Sequence, residues 1–282
     1  MDLLLGCHPN ILTLGEFHLL PWKIQRDQQR CGCGENISNC ELWKPIVKEH
    51  YNTLVNGRIH RFRNSLEQGR VLRPMELWLI SFRRRLSKKR DFLIRQYGQE
   101  NYQVISEAIK RSRTIKDVDF VVDASKDPYR LYWLAMSGKF SVYIIHLTKD
   151  PRAFVYSTVK RNTKDLKKTV RMSLRYRIEN SIIDLVQRKV ACTKSIHVRY
   201  EDLAAKPGET MRRIFRNFEI DDSNYDANDF RAHINHAVAG NDMRHQNDAI
   251  TLDEKWRDKL PRMKQHLVKI LTHVAAKKYG YY

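Results

Sequence analysis

The chain has 282 residues, 52 Lys and Arg against 32 Asp and Glu, a net charge of +20, and 42% hydrophobic residues. That balance excludes a disordered polymer and allows one sizeable core. No apolar run reaches the roughly 20 residues that cross a bilayer, and no signal peptide is visible, so a soluble, cytoplasmic protein is expected. The basic excess is compatible with nucleic acid, an anionic small molecule or an acidic partner, and by itself names none of them. Its densest stretches, 58–95 and 160–177, have helical patterns and read first as solvated faces.

In chain order, "MDLLLGCH" has no N-cap and almost no lead-in, so it reads as the end of an apolar helix closed by His8-Pro9. "NILTLGEF" follows as a short extended stretch ending near Gly15-Glu16. Residues 21–115 are mostly helical, with breaks at a Cys/Gly loop and near Gly57, Gly69 and Pro74, as a helical insertion would be. The loop holds Cys31, Cys33 and Cys40. Zinc would want a fourth ligand and a CxxC-like pair, whereas the spacing here is C-x-C and His50 lies ten residues beyond Cys40. A loop of small residues is therefore favoured, with no metal expected and disulfides disfavoured in a reducing compartment.

Character changes at 118. "VDFVVDAS" is a β-branched run bounded by turn residues, as in a buried parallel strand, and "DPYRLYWLAMSG" (127–138) reads as a helix. "FSVYIIHL" (140–147) is a second strand, followed by a long helix from Pro151 to about Lys189. "SIHVRY" (195–200) is a third strand, and "KPGETMRRIFRNF" opens a helix at Pro207. A polar loop (221–250) leads to C-terminal helices broken at Pro261. The alternation argues for one α/β domain over 1–282, a three-layer parallel sheet flanked by helices. Within it, 21–115 is a helical insertion, 116–220 the α/β core, and 221–282 a polar loop with terminal helices.

The stretch "HLTKDPRAFVYSTVKR" (146–161) carries the sharpest signal. Asp150 can cap a helix that begins at Pro151, and the free N–H groups at that end favour an anion. Steps of seven and four residues bring Asp150, Ser157 and Arg161 onto nearly one helical face. Lys149 falls at the carboxyl end of its strand, where open α/β sheets bind ligands. Such a set could grip a phosphate.

This stretch resembles the 3′-phosphate-binding signature of sulfotransferases that use 3′-phosphoadenosine 5′-phosphosulfate (PAPS): a basic residue, an Asp-Pro turn, then Ser eight residues after the base. Other stretches agree in order. "LLLGCHPNILTLGEF" is similar to the segment after the family's phosphosulfate loop, and "CGCGENISNCELW" to a loop of its bacterial-type members. "VVDASKDPYRL" resembles its second strand and turn, "VRYEDL" its third, and "HAVAGNDMR…LDEKW" the late loop over the nucleotide. The resemblance covers nearly the whole chain and implies a P-loop-NTPase-like sheet.

The resemblance also implies roles. Lys149, Ser157 and Arg161 would hold the 3′-phosphate, with Arg152 an additional cation. Where the family usually has Arg, Lys149 offers a point charge. Tyr200 would lie by the adenine, and Asn241, Arg244 and Lys255 would belong to the closing loop. Glu16 stands where tyrosylprotein sulfotransferases carry their general base, and Lys126 matches a lysine that steadies the transferring group. PAPS would be the co-substrate, with no metal and an acceptor hydroxyl or amine on a small molecule, carbohydrate or peptide. The family's first strand and its phosphosulfate loop would precede His8, and this chain begins inside the following helix, which leaves its own turnover open.

Two other classes compete. Asp123, at the end of "VDFVVD", could pass for the magnesium-holding carboxylate of a P-loop kinase, although no G-x-x-x-x-G-K-[ST] occurs. A non-catalytic basic interaction protein would bind DNA or RNA in a salt-dependent way, and no aromatic-basic stacking motif supports it.

Overall fold

A computed structural model describes residues 1–26, 30–57, 71–81, 88–112, 117–190, 192–228, 230, 234–240 and 250–282. The parallel α/β layout expected from the sequence is observed. Strand β1 (Ile11–Thr13) pairs in parallel with β2 (Phe120–Val122), and β3 (Tyr143–Thr148) pairs in parallel with β4 (Lys194–Arg199). Among the described residues these ladders form two separate pairs. They are joined through side chains: the rings of Phe120 and Tyr143, the first residues of β2 and β3, pack edge to face at 5.3 Å. Tyr143 in turn meets Phe218, also at 5.3 Å. No helix among the described residues is long and apolar enough to cross a membrane.

The strand expected over 118–125 is confined to its three central residues, because Asp123 leaves the ladder to bind a buried arginine. Both Nε (2.8 Å) and Nη2 (2.7 Å) of Arg130 approach Asp123 Oδ2. Arg130 also donates to the Tyr97 hydroxyl and stacks 5.4 Å from the Phe17 ring. Next to it, Asp127 caps the Pro128–Met136 helix, with Pro at its first position, and takes Arg73 Nη2 at 3.2 Å. These contacts tie the insertion, through Arg73 and Tyr97, to the turn after β2. The apolar residues of the insertion extend the same core, with Trp43, Ile46, Leu54 and Tyr97 buried beside Phe17, Tyr129 and Trp133.

The long helix expected from Pro151 to Lys189 is two helices, Pro151–Val159 and Leu166–Lys189. The sequence "NTKD" between them supplies the break. Asn162 Oδ1 accepts the Lys164 N–H, and Asp165 caps the second helix by accepting the Lys168 N–H at 2.8 Å. Lys264 Nζ holds this turn by donating to the Thr163 carbonyl at 2.6 Å. On the second helix Thr169, Met172, Ser173, Tyr176 and Asn180 are buried at three- and four-residue spacing. The lysines and arginines between them, such as Arg171, Arg175 and Arg177, face outward. Over 166–177 the basic run is thus a solvated face. The stretch 58–95 lies largely outside the described residues.

Under β3 and β4 lies a ring of titratable groups. His146 is buried, bonds Asn180 Oδ1 at 3.2 Å, and faces the rings of His197 (5.8 Å) and Tyr279 (5.1 Å). Burial, and then the neighbouring His197, push its pKa down from 6.5 to about 4. The unfolded chain therefore takes up this proton near pH 6.5 while the folded chain resists it until about 4. Stability should fall as pH is lowered through that window and level off below it. Urea unfolding at several pH values checks this, and His146→Gln should flatten the dependence.

Candidate active site at the strand ends

Four of the candidate residues follow the carboxyl ends of parallel strands. Glu16 comes three residues after β1, Lys126 four after β2, Lys149 directly after β3, and Tyr200 directly after β4. At the β1/β2 end Lys126 Nζ lies 2.7 Å from Glu16 Oε1. The lysine side chain is 71% exposed, so the pair is screened and opens at small cost. Lys126 holds φ +57°, a left-handed conformation that a side chain disfavours by about 1–2 kcal/mol. The turn is held in that shape by its neighbours, the buried Ser125 and Asp127 on either side.

Glu16 is set by its backbone. Leu14 donates to Val122 O and Ala124 donates to Gly15 O, continuing the β1/β2 pairing into the turn. From the other side Val238 donates to Leu14 O at 3.0 Å, and Glu16 donates to Ala239 O at 3.1 Å. Gly15, at φ +66°, makes this approach possible: a Cβ there would lie 2.6 Å from Ala239 O and 2.9 Å from the Ala237 Cβ.

At the β3/β4 end Lys149 Nζ lies 4.4 Å above the Tyr200 ring. Burial, followed by the charge of Asp253, raises the Tyr200 pKa. Asp150 caps the Pro151–Val159 helix through the Arg152 N–H at 2.7 Å, as its position before Pro151 indicated. Arg152, expected as an additional cation, is engaged within the chain. Its Nε and Nη2 bind Asp150 at 3.0 and 2.6 Å, and its guanidinium stacks 4.2 Å from Trp256. Ser157 is on the helix, exposed, with its hydroxyl donating to Phe154 O. Arg161 is not on the shared face expected for it. The helix ends at Val159, and Arg161 lies exposed in the turn beyond. Lys255 precedes the Trp256–Lys259 helix, exposed, its N–H bonded to Asp253 Oδ1. Asn241 and Arg244 lie outside the described residues.

Sequence reasoning missed several members of this end. Glu201 Oε1 accepts the Asp150 N–H at 2.9 Å, while its Oε2 accepts from the Tyr281 hydroxyl at 2.9 Å. Tyr282 lies 5.3 Å from the Arg152 guanidinium. The terminal "YGYY" was a visible aromatic cluster, but nothing in its spacing said which strand end it would reach.

The competing carboxylate is occupied. Asp123 Oδ2 takes Arg130, and Oδ1 accepts both the N–H (3.0 Å) and the hydroxyl of Ser125. It acts as an anchor for the turn, an arrangement that disfavours the kinase reading.

A second constellation was not anticipated. Cys31, Cys33 and Cys40 are joined by His236, nearly 200 residues away in sequence, with one ligand atom from each within 4.8 Å of the others. Cys40 Sγ lies 3.5 Å from Cys31 Sγ, 3.8 Å from Cys33 Sγ and 3.3 Å from His236 Nδ1, and Cys31 Sγ lies 3.8 Å from the same nitrogen. His236 thus stands where the spacing of the cysteines showed no fourth donor. His50, the residue weighed for that part, is beside Glu49 instead. Its hydrogen bond with Cys31 and then the nearby His236 pull the Cys40 thiol down to about 4, against burial, whereas the partner Cys31 is pushed up.

Comparison with known proteins adds two solved structures. The sulfotransferase domain from the curacin biosynthetic pathway is 16% identical with a TM-score of 0.49, covering 96% of this chain and 92% of that one. The sulfotransferase domain from the Synechococcus PCC 7002 olefin synthase is 15% identical with a TM-score of 0.49, covering 95% and 88%. No protein-family model and no curated protein matches the chain.

The left-handed residue gives a direct test. Lys126→Ala keeps the strained backbone and loses only the exposed pair, whereas Lys126→Gly relieves the strain. The glycine variant should be more stable than the alanine variant by about 1 kcal/mol in urea unfolding.

Proposed function

We propose that this chain is a PAPS-dependent sulfotransferase acting on a hydroxyl or amine acceptor. The observation that carries the reading is the pairing of motif-matched residues just beyond parallel strand ends, Lys126 with Glu16 at 2.7 Å and Lys149 with Tyr200 at 4.4 Å. Ligands of open α/β sheets bind at that edge. The ordered recurrence of sulfotransferase-like stretches along the sequence supports the choice of chemistry.

In this reading Lys149 and Ser157 bind the 3′-phosphate, with Arg161 reaching in from the following turn. Arg152 holds the Asp150 cap and the Trp256 ring in place. Tyr200 stacks on the adenine side, and Asn241, Arg244 and Lys255 belong to the closing segment. The acceptor oxygen or nitrogen attacks sulfur as the bond from sulfur to the 5′-phosphate oxygen breaks. Glu16 takes the acceptor proton, and the bond's electron pair leaves on adenosine 3′,5′-bisphosphate. Lys126, released from Glu16 when the acceptor enters, offsets the charge developing on the transferring group. The helices of 21–115 would shape the acceptor cleft.

Calorimetric titration with adenosine 3′,5′-bisphosphate should give saturable one-to-one binding that AMP does not match. Lys149→Ala should weaken it roughly 10- to 100-fold, the worth of a charge-assisted contact, with little change for AMP. Equal losses for both nucleotides would remove Lys149 from the 3′-phosphate. Glu16→Gln should lower turnover roughly 100-fold or more at unchanged nucleotide affinity. Unchanged turnover would exclude Glu16 as the base.

A further inference from the structure

Three sulfurs and one imidazole nitrogen converge from two loops far apart in sequence. A tetrahedral zinc with Zn–S of about 2.3 Å and Zn–N of about 2.0–2.1 Å requires sulfurs about 3.8 Å apart and sulfur–nitrogen distances of about 3.5–3.6 Å. The observed sulfur pairs at 3.5 and 3.8 Å and sulfur–nitrogen pairs at 3.3 and 3.8 Å lie near those values, and all four donor atoms lie within 4.8 Å of one another. Disulfide geometry is not approached, since a bond would bring two sulfurs to about 2.05 Å. Cys31 and Cys40 are fully buried.

The loop is moulded to the histidine segment. Gly32 donates to Ala237 O at 2.9 Å, and a Cβ on Gly32 would lie 1.8 Å from Asn235 Oδ1. Trp43 Nε1 donates to the His236 carbonyl at 2.7 Å.

We propose that Cys31, Cys33, Cys40 and His236 bind one zinc ion as a structural site that clips the 31–40 loop to the 235–239 segment. Three thiolates and one imidazole form a closed, four-coordinate set for zinc, with no position left for a substrate. The clip has a consequence for the strand-end site. The segment that His236 anchors is the one whose Val238 N–H and Ala239 carbonyl bond Leu14 and Glu16. Zinc thus secures the backbone of Glu16 from a distance, and its presence does not depend on which reaction the chain catalyses.

Elemental analysis of the chain, expressed with zinc and purified without chelator, should find about one zinc per chain. Cys33→Ser, at the half-exposed ligand, and His236→Ala should each lose most of it, while Cys192→Ser, outside the cluster, should retain it. Exchange to cobalt should give the intense thiolate-to-metal absorption of a tetrahedral site. Stripping zinc should lower the melting temperature, and hydrogen exchange should quicken at the Glu16, Gly32 and Val238 amides. Substoichiometric metal with no thermal response to added zinc would overturn the proposal, as would stoichiometric iron, or a disulfide among the three cysteines by mass spectrometry. The wild-type metal content decides the matter even if a ligand variant fails to fold.

Discussion

Gly15 is where three segments of backbone meet. On one side the turn after β1 continues its pairing with β2, through Leu14 to Val122 and Ala124 to Gly15; on the other it bonds residues 238 and 239. A backbone amide buried between such neighbours needs every donor and acceptor matched, and a side chain at this φ would strike the Ala239 carbonyl. The local arrangement therefore tolerates one residue type, and it dictates where the next residue, Glu16, emerges. The geometry at this end of the sheet depends on that contact.

Around it the turn after β2 is built to resist deformation. Arg130 is buried with its charge matched by Asp123, and Asp127 is matched by Arg73, so each charge in the turn has a partner of opposite sign. Breaking one partner of such a pair strands the other in a poor solvent, at roughly 3–5 kcal/mol. That rigidity keeps Lys126 in a left-handed conformation and opposite Glu16. At the other strand pair the same logic is aromatic. Lys149 rests on Tyr200, Arg152 on Trp256, and Arg199 4.8 Å from Tyr281, so cations are held by ring faces as well as by carboxylates.

The cysteine loop and the Gly15 junction share one strand of argument. Both grip residues 235–239 from opposite sides, the loop through His236 and Ala237, the junction through Val238 and Ala239. A segment with little secondary structure of its own gains its place from these two grips. A metal is an efficient means of securing such a segment, because four ligand bonds to one ion replace the apolar area that a short irregular stretch cannot bury.

Much of the strand-end layout was legible in the sequence, since it rests on local rules. Asp-Pro at 127–128 and 150–151 marks a capped helix start after a strand, and β-branched runs mark the parallel strands that precede them. Those patterns located Lys149 at a strand end without coordinates, whereas Glu16, Lys126 and Tyr200 were singled out by the resemblance of their stretches. The sequence also contained the break at Asn162–Asp165, but its capping signal was weaker than the continuous helical periodicity around it, and Arg161 was misplaced onto the helix as a result. Other features were decided by tertiary structure alone. The pairing of Lys126 with Glu16 spans 110 residues, and His236 reaches the cysteines across 196. Periodicity and capping act over a few residues and carry no record of which distant loops meet. Packing of the core brings those loops together, and there the chemistry of the side chains, sulfur beside imidazole and carboxylate beside ammonium, first becomes visible.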